Sequence, residues 1–422
     1  MWRDSSDPAA GAEIRNPVPD AMIEPNSRSE PIRVLQVLGS LGMGGAETWM
    51  MQLLRRWRQT GAVQCDFLLT SAKDGIFDDE ARSLGAELHR VTFSRKTLAN
   101  FVGAYREILR SGCYDAIHDH CDYASGMHFA FGIGHLPKVR IAHIHNPWVH
   151  ISDLYGVTPM RRLSVRAGKL LVERFATHVC GTSTDILIRY GFQPGANRTP
   201  HVGVAHCGFE IDDFNRTGEP DRESVLQEFG WPADSKIVLC VGRLDLGMSF
   251  DHPLNHKNTW FALNVAAAAM RADSAVRLIM VGAGDERRER LETVAREWGL
   301  SENIRLVGVR RDIARLMRAA DVLLFPSRQE GLGMVAVEAQ AAGLPVLAST
   351  AVPLEARVVP ALYHAMSLDE PVEAWAHALI GIASASRPPL QQCRDLMARS
   401  AFSIEASARK LEEVYAAGRA CP

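Results

Sequence analysis

Pro326-Ser-Arg-Gln-Glu-Gly-Leu-Gly-Met-Val-Ala-Val-Glu-Ala-Gln-Ala-Ala-Gly-Leu-Pro-Val-Leu347 is the stretch that decides the fold. The apolar run Val322–Phe325 ends just before it and reads as a buried strand. A loop with two glycines follows, then a helix over 334–342, then a second apolar strand from Pro345 to Ser349. Glu330 falls in the loop and Glu338 about one turn into the helix. On a continuous helix eight residues span roughly 12 Å, so the two carboxylates suit opposite ends of an extended ligand rather than one acid/base pair. Gly331 and Gly333 let backbone N–H groups approach that ligand closely. The helix N-terminus adds partial positive charge suited to a diphosphate. A carboxylate accepts from two neighbouring hydroxyls, as on a ribose or a hexose. The competing reading is a helix with chance acidic residues and a solvated Glu338.

Outward from this unit the same alternation repeats. Strand-like runs occur at Ile237–Val241, Val276–Val281 and Ile304–Val307, separated by helical segments at 258–271, 286–298 and 311–320. An earlier series starts at Ile32–Leu38 and continues through Val63–Leu69, Leu88–Thr92, Ala116–His118, Val139–Ile144, His178–Cys180 and Val202–Ala205. Helices at 76–84, 97–111, 160–176 and 183–190 lie between these strands. Such alternation predicts an α/β protein with parallel sheets covered on both faces. Two doubly wound, Rossmann-like domains would face each other across a cleft, with ligands beyond the carboxyl ends of the strands.

The expected organisation is a disordered tail over 1–30, a first domain over 31–206, a polar hinge over 207–220 and a second domain over 221–395. Residues 396–422 would form a C-terminal helix packing back on the first domain. Helical segments at 370–383 and 389–416 are expected to close the chain.

Composition narrows the function. The chain has 422 residues, with 47 Lys+Arg against 49 Asp+Glu and a net charge of −2. That balance gives no support to nucleic acid as a partner, which usually needs a basic surplus. The eight cysteines form no CxxC pair, so zinc-ribbon and thioredoxin chemistry lack support. No stretch is long and apolar enough for a membrane span, and no apolar leader precedes residue 31. The expected location is cytoplasmic.

Several segments carry a resemblance. Glu330-Gly-Leu-Gly-Met-Val-Ala-Val-Glu338 resembles the E-x7-E signature of family-4, two-domain (GT-B) glycosyltransferases, most nearly the capsular and exopolysaccharide biosynthesis members. Leu41-Gly-Met-Gly-Gly-Ala-Glu47, Val241-Gly-Arg-Leu244, Lys257-Asn258, Val281-Gly-Ala-Gly-Asp285 and Arg318–Ser327 agree in order and spacing over roughly residues 32–415.

The resemblance implies a retaining transferase that moves a sugar from a nucleotide diphosphate, UDP foremost, to a glycan or lipid-linked glycan. It implies no metal and no cofactor. Glu338 would hold the ribose, Glu330 a hydroxyl of the transferred sugar, and Arg243 and Lys257 the leaving diphosphate, whose charge develops as the bond breaks. Gly44 and Gly45 would bring the first-domain loop against the phosphates, and His120 would contact the sugar near the reacting carbon. Asp119, His145 and Asn146 are candidate sugar or acceptor contacts. Trp148 is either a stacking platform or a core aromatic.

The residues also admit other readings. Arg243 and Lys257 could serve surface ion pairs. His118, His120, His143 and His145 could supply imidazoles to a metal. The protein could be an inactive nucleotide-sugar binder, or a nucleotide-sugar 2-epimerase on the same fold. The helix over 161–174, rich in arginine and leucine, is either solvated or a peripheral contact with the inner membrane face. The hinge motif stands as Cys207-Gly-Phe-Glu210, where the family usually has Asn-Gly-Ile-Asp.

Overall fold

A computed structural model describes residues 30–147, 159–195, 199–215, 221–245, 252 and 255–419. Residues 1–29 of the expected tail, Trp148, most of 246–254 and the end of the hinge lie outside the described residues.

The first domain is a seven-stranded parallel sheet: β1 (Ile32–Leu38), β2 (Val63–Leu69), β3 (Leu88–Arg90), β4 (Ala116–Asp119), β5 (Val139–Ile144), β6 (His178–Gly181) and β7 (His201–Val204), in the order β3-β2-β1-β4-β5-β6-β7. The second has β8 (Lys236–Val241), β9 (Val276–Val281), β10 (Ile304–Leu306), β11 (Val322–Phe325), β12 (Val346–Ser349) and β13 (Tyr363–Met366), in the order β10-β9-β8-β11-β12-β13. Every strand pair is parallel. Both orders run outward in both directions from the first strand of their domain, so a crevice opens at the carboxyl end of that strand and its neighbour.

Alternation explains why the strands read as unbroken apolar runs. In β1, Val34 and Leu38 enter one apolar cluster while Leu35 and Val37 enter the cluster on the other face. In β8, Ile237 and Leu239 face one layer and Val238 and Cys240 the other. A sheet covered by helices on both faces draws apolar residues from most positions, with Arg33 and Gln36 as the exceptions in β1.

The sequence predicts one helix over 389–416, and the structure has two. The chain forms Leu390–Ala398, breaks, and restarts as Ile404–Ala416. Ser403 causes the restart: its Oγ accepts from Ala406 N at 3.1 Å and so satisfies an orphan N–H of the first turn. The boundary expected at residue 396 therefore falls inside the first of these helices. Ile404, Ala408, Leu411 and Tyr415 lie along one face and join the apolar cluster of the first domain. Trp49 Nε1 donates to Ser407 Oγ at 2.9 Å and Trp57 Nε1 to Glu412 at 2.8 Å. Strand β13 and the helices Ser125–Phe131, Ile211–Phe214 and Asp221–Phe229 were not expected from sequence.

Candidate functional site

The carboxyl ends of the two sheets meet. Ser183 Oγ, at the N-cap of the first-domain helix Thr184–Arg189, donates to Gly331 O at 2.5 Å. The Glu355 carboxylate accepts from Thr184 N with both oxygens at 3.1 Å. A Cβ added at Gly331 would lie 2.3 Å from His145 O, so only glycine permits this approach. Met334 touches the apolar clusters of both domains.

On the second-domain wall, β8 ends at Val241 and Gly242 leads to Arg243. Arg243 is exposed, and no ion pair engages it among the described residues. Lys257 Nζ lies 2.6 Å from Glu330 Oε1 and 5.7 Å from the centre of the Phe325 ring, a cation–π distance. The Glu330 carboxylate is 9% exposed and the Lys257 side chain 29%. Arg243, Lys257, Phe325 and Ser327 line one pocket beyond the ends of β8 and β11.

Asp245 holds Lys257 in place. Its Oδ1 accepts from His256 N and Lys257 N at 3.1 Å, and its Oδ2 accepts from Thr259 N at 3.1 Å. Whatever path the chain takes between, Asp245 ties its two ends together. Sequence reasoning missed this residue, whose only signal was its place after the Gly-Arg-Leu segment.

Gly333 caps the helix Met334–Ala341 with φ +89°, a left-handed conformation that favours glycine. The N-terminus of that helix opens beside Glu330 and Gly331. Glu338 is half-buried in the second turn, and burial pushes its carboxyl up to about 7. Opposite, Gly44 is the extended N-cap of the helix Gly45–Thr60, and its carbonyl accepts from Thr48 N at 2.9 Å. The Glu47 side chain folds back so that a Cβ on Gly44 would meet its carboxylate at 2.2 Å, whereas a Cβ on Gly45 would meet nothing within 4 Å. Burial raises the Glu47 carboxyl, and both Glu47 and Glu338 bear on the buried Cys207 thiol, which burial first and these carboxylates second push up to about 12.

The first-domain wall is histidine. His118 and His120 project to the same side of β4, with ring centroids 4.1 Å apart. His118 Nε2 lies 3.0 Å from His143 Nδ1, and His120 Nδ1 lies 2.9 Å from His145 Nε2. Gln36 and Tyr415, neither expected, complete the group: Gln36 Oε1 is 3.0 Å from His120 Nε2 and Tyr415 Oη 2.7 Å from His118 Nδ1. Trp49 packs against His120, His143 and His145 at 5.3–6.1 Å. Burial holds His118, His120 and His143 well below the ordinary imidazole range and takes His145 down to about 4. Ring nitrogens of His118, His120 and His143 come within 4.8 Å of one another, the spacing a metal would use. All but His143 Nε2 are already engaged by hydrogen bonds.

Asp119 turns away from this group. Its Oδ2 lies 2.6 Å from His128 Nδ1 and its Oδ1 accepts from Ser125 Oγ at 2.8 Å, so it braces the helix Ser125–Phe131. Asn146 is exposed, and Asp122 accepts from its amide at 2.9 Å and from the His145 and Asn146 backbones at 2.8 and 3.2 Å. The structure thus brings Arg243, Lys257, Glu330, Gly331 and Gly333 to one side, with His145 in backbone contact across from Gly331. His120 lies one residue deeper than His145.

Residues 44–200 match the family described as Glycosyl transferase 4-like domain, and residues 235–385 match Glycosyl transferases group 1. EpsF of Bacillus subtilis (strain 168), named as a glycosyltransferase, is 30% identical over 387 residues, covering 91% of this chain and 96% of the relative. A D-inositol 3-phosphate glycosyltransferase of Corynebacterium urealyticum is 29% identical over 223 residues, covering 51% of this chain and 50% of the relative. Among solved structures, Anabaena Alr3699/HepE in complex with UDP and glucose superposes with a TM-score of 0.72 at 20% identity, over 92% of this chain and 100% of that one.

Proposed function

The chain belongs to the group 1 glycosyl transferases and has the GT-B fold, and from that premise we propose that it is a retaining enzyme whose donor is a UDP-sugar and whose acceptor is a hydroxyl of a glycan or lipid-linked glycan. The observation that carries this reading is the Lys257–Glu330 pair at 2.6 Å, set beside the exposed Arg243 and the N-terminus of the helix Met334–Ala341. The pair sets a cation for a phosphate and a carboxylate for a sugar hydroxyl side by side.

On donor binding Lys257 and Arg243 take the diphosphate, and backbone N–H groups near Gly331 and Gly333 add to its field. Glu338 accepts from the ribose hydroxyls, and Glu330 from a hydroxyl of the sugar. The Gly44–Gly45 loop closes over the phosphates from the first domain. Charge building on the leaving diphosphate meets fixed cations, and exclusion of water between the domains strengthens them. The first-domain wall receives the sugar, His120 acting through His145. The UDP held by the solved neighbour supports a uridine donor.

No helix among the described residues is long and apolar enough to cross a membrane. The helix Pro159–Phe175 nevertheless exposes Leu163 by 63% and Leu170 by 64%, beside exposed Arg162, Arg166 and Arg174. This face suits anionic lipid at the cytoplasmic surface, where a lipid-linked acceptor would lie.

A thermal-shift series over nucleotide sugars tests the donor reading, since a ligand at 100 times its Kd stabilises the folded chain by about 2.7 kcal/mol. UDP-sugars should raise Tm, and UDP should be released on turnover. No shift with any nucleotide sugar would refute the reading.

A further inference from the structure

The hydrogen bonds around the histidine wall have a direction, and Gln36 sets it. Gln36 Oε1 can only accept, so His120, 3.0 Å away, carries its proton on Nε2. His120 Nδ1 is then a lone pair, and His145 Nε2 at 2.9 Å donates to it. That leaves Nδ1 of His145 without a proton and without a partner among the described residues.

On the other branch Gln36 Nε2 donates to Tyr415 Oη at 3.2 Å, which leaves the Tyr415 proton free to point at His118 Nδ1, 2.7 Å away. His118 Nε2 then donates to His143 Nδ1 at 3.0 Å. His118 and His143 are fully buried, so a charged imidazole among these contacts would lack a counter-ion. In this arrangement each ring is neutral with its proton on Nε2, and on His143 that nitrogen is buried with no hydrogen-bond partner among the described residues.

We propose that Gln36 and Tyr415 are positioning residues that fix His145 as a neutral hydrogen-bond acceptor, its Nδ1 lone pair offered to a sugar hydroxyl beside the Glu330–Gly331 loop. The sugar half of this inference rests on the donor reading above; the tautomer half does not. Three features of the structure support it. His145 is the half-buried member of the four, and its carbonyl borders Gly331. Asp122 clamps its backbone N–H at 2.8 Å. Sugar hydroxyls donate readily, and a fixed acceptor on this wall complements the acceptor carboxylate of Glu330 on the other.

The C-terminal helix Ile404–Ala416 thereby acquires a second role. It supplies the hydroxyl that orients the His118–His143 branch, from a residue 297 positions away from His118.

Long-range proton–nitrogen correlation spectra of the full chain, labelled with nitrogen-15 histidine, test this near pH 7. All four rings should show the pattern of a neutral imidazole protonated on Nε2. Tyr415→Phe should turn His118 and His143 into tautomer mixtures and leave His120 and His145 unchanged. Gln36→Leu, which also removes the donor to Tyr415 Oη, should turn all four rings into tautomer mixtures. A merely structural role for Tyr415 predicts no tautomer change. His145 protonated on Nδ1, or a Tyr415→Phe spectrum equal to wild type, would overturn the positioning claim. Saturating UDP-glucose should shift the His145 Nδ1 resonance. Calorimetric binding of UDP-glucose without that shift refutes the acceptor role, whereas absence of binding refutes the donor reading and leaves the tautomer claim to the free-chain spectra.

Discussion

On the second-domain wall the polar groups are ionic: Lys257 pairs with a Glu330 carboxylate only 9% exposed, Arg243 stands open, and Glu338 is a carboxyl raised to about 7 by burial. On the first-domain wall four imidazoles with depressed pKa values are tied to Gln36 and Tyr415. On the proposed reading the difference follows from what each wall would hold. A diphosphate carries charge that grows during the reaction, so its wall needs fixed cations. A sugar is neutral and presents hydroxyls, so its wall needs oriented acceptors and no charge to desolvate.

The largest expected effect breaks the ionic wall. Lys257→Ala removes a cation from the leaving group and strands Glu330, and donor turnover should fall by about 10²–10³, the usual scale for one lost electrostatic contact. Steady-state UDP release measures it. Gly331→Ala attacks the junction between walls: a Cβ 2.3 Å from His145 O forces the domains apart. Turnover should drop about 10²-fold through misplacement of the reacting groups. Tm should barely move, because each domain keeps its own apolar layers.

Glu338→Gln sharpens the contrast through pH. Ribose hydroxyls favour the ionised carboxylate, so wild-type UDP affinity should rise about tenfold between pH 6 and 8 as the ionised fraction grows. The glutamine variant should lose that increment, read by calorimetry across the range. The unliganded chain responds with the opposite sign. An unfolded carboxyl titrates near 4.5 and the folded one near 7, so the folded chain binds the extra proton between these values and stability falls with rising pH. The smallest effect probes the neutral wall's support: Ser407→Ala leaves Trp49 Nε1 without its acceptor and should cost about 1–2 kcal/mol in urea unfolding, with turnover nearly unchanged.

Much of the ionic wall was legible in the sequence because its residues cluster: Glu330, Gly331, Gly333 and Glu338 fall within nine positions after one apolar strand. Strands β1, β2, β5, β8, β9 and β11 were legible for a related reason, since a parallel strand buried on both faces leaves a mostly apolar run. Strand β13 was not, because Tyr363-His-Ala-Met366 is an edge strand with two exposed residues and no such run. The break before Ile404 had a local signal, Ser403, but the apolar pattern continues across it. The neutral wall was only partly legible. His118, His120, His143 and His145 stood out as a cluster, yet their order depends on Gln36 and Tyr415, which sequence separates by 379 positions. Ser183 and Glu355 were hidden likewise, each acting across the domain junction.

The most direct test of the two-wall account is calorimetric titration of UDP, which carries the diphosphate but no sugar, into wild type, Lys257→Ala and His145→Ala. The account predicts affinity weakened about 100-fold, some 2.7 kcal/mol, in Lys257→Ala and changed less than about twofold in His145→Ala. Equal losses in both variants, or unchanged affinity in Lys257→Ala, would contradict it.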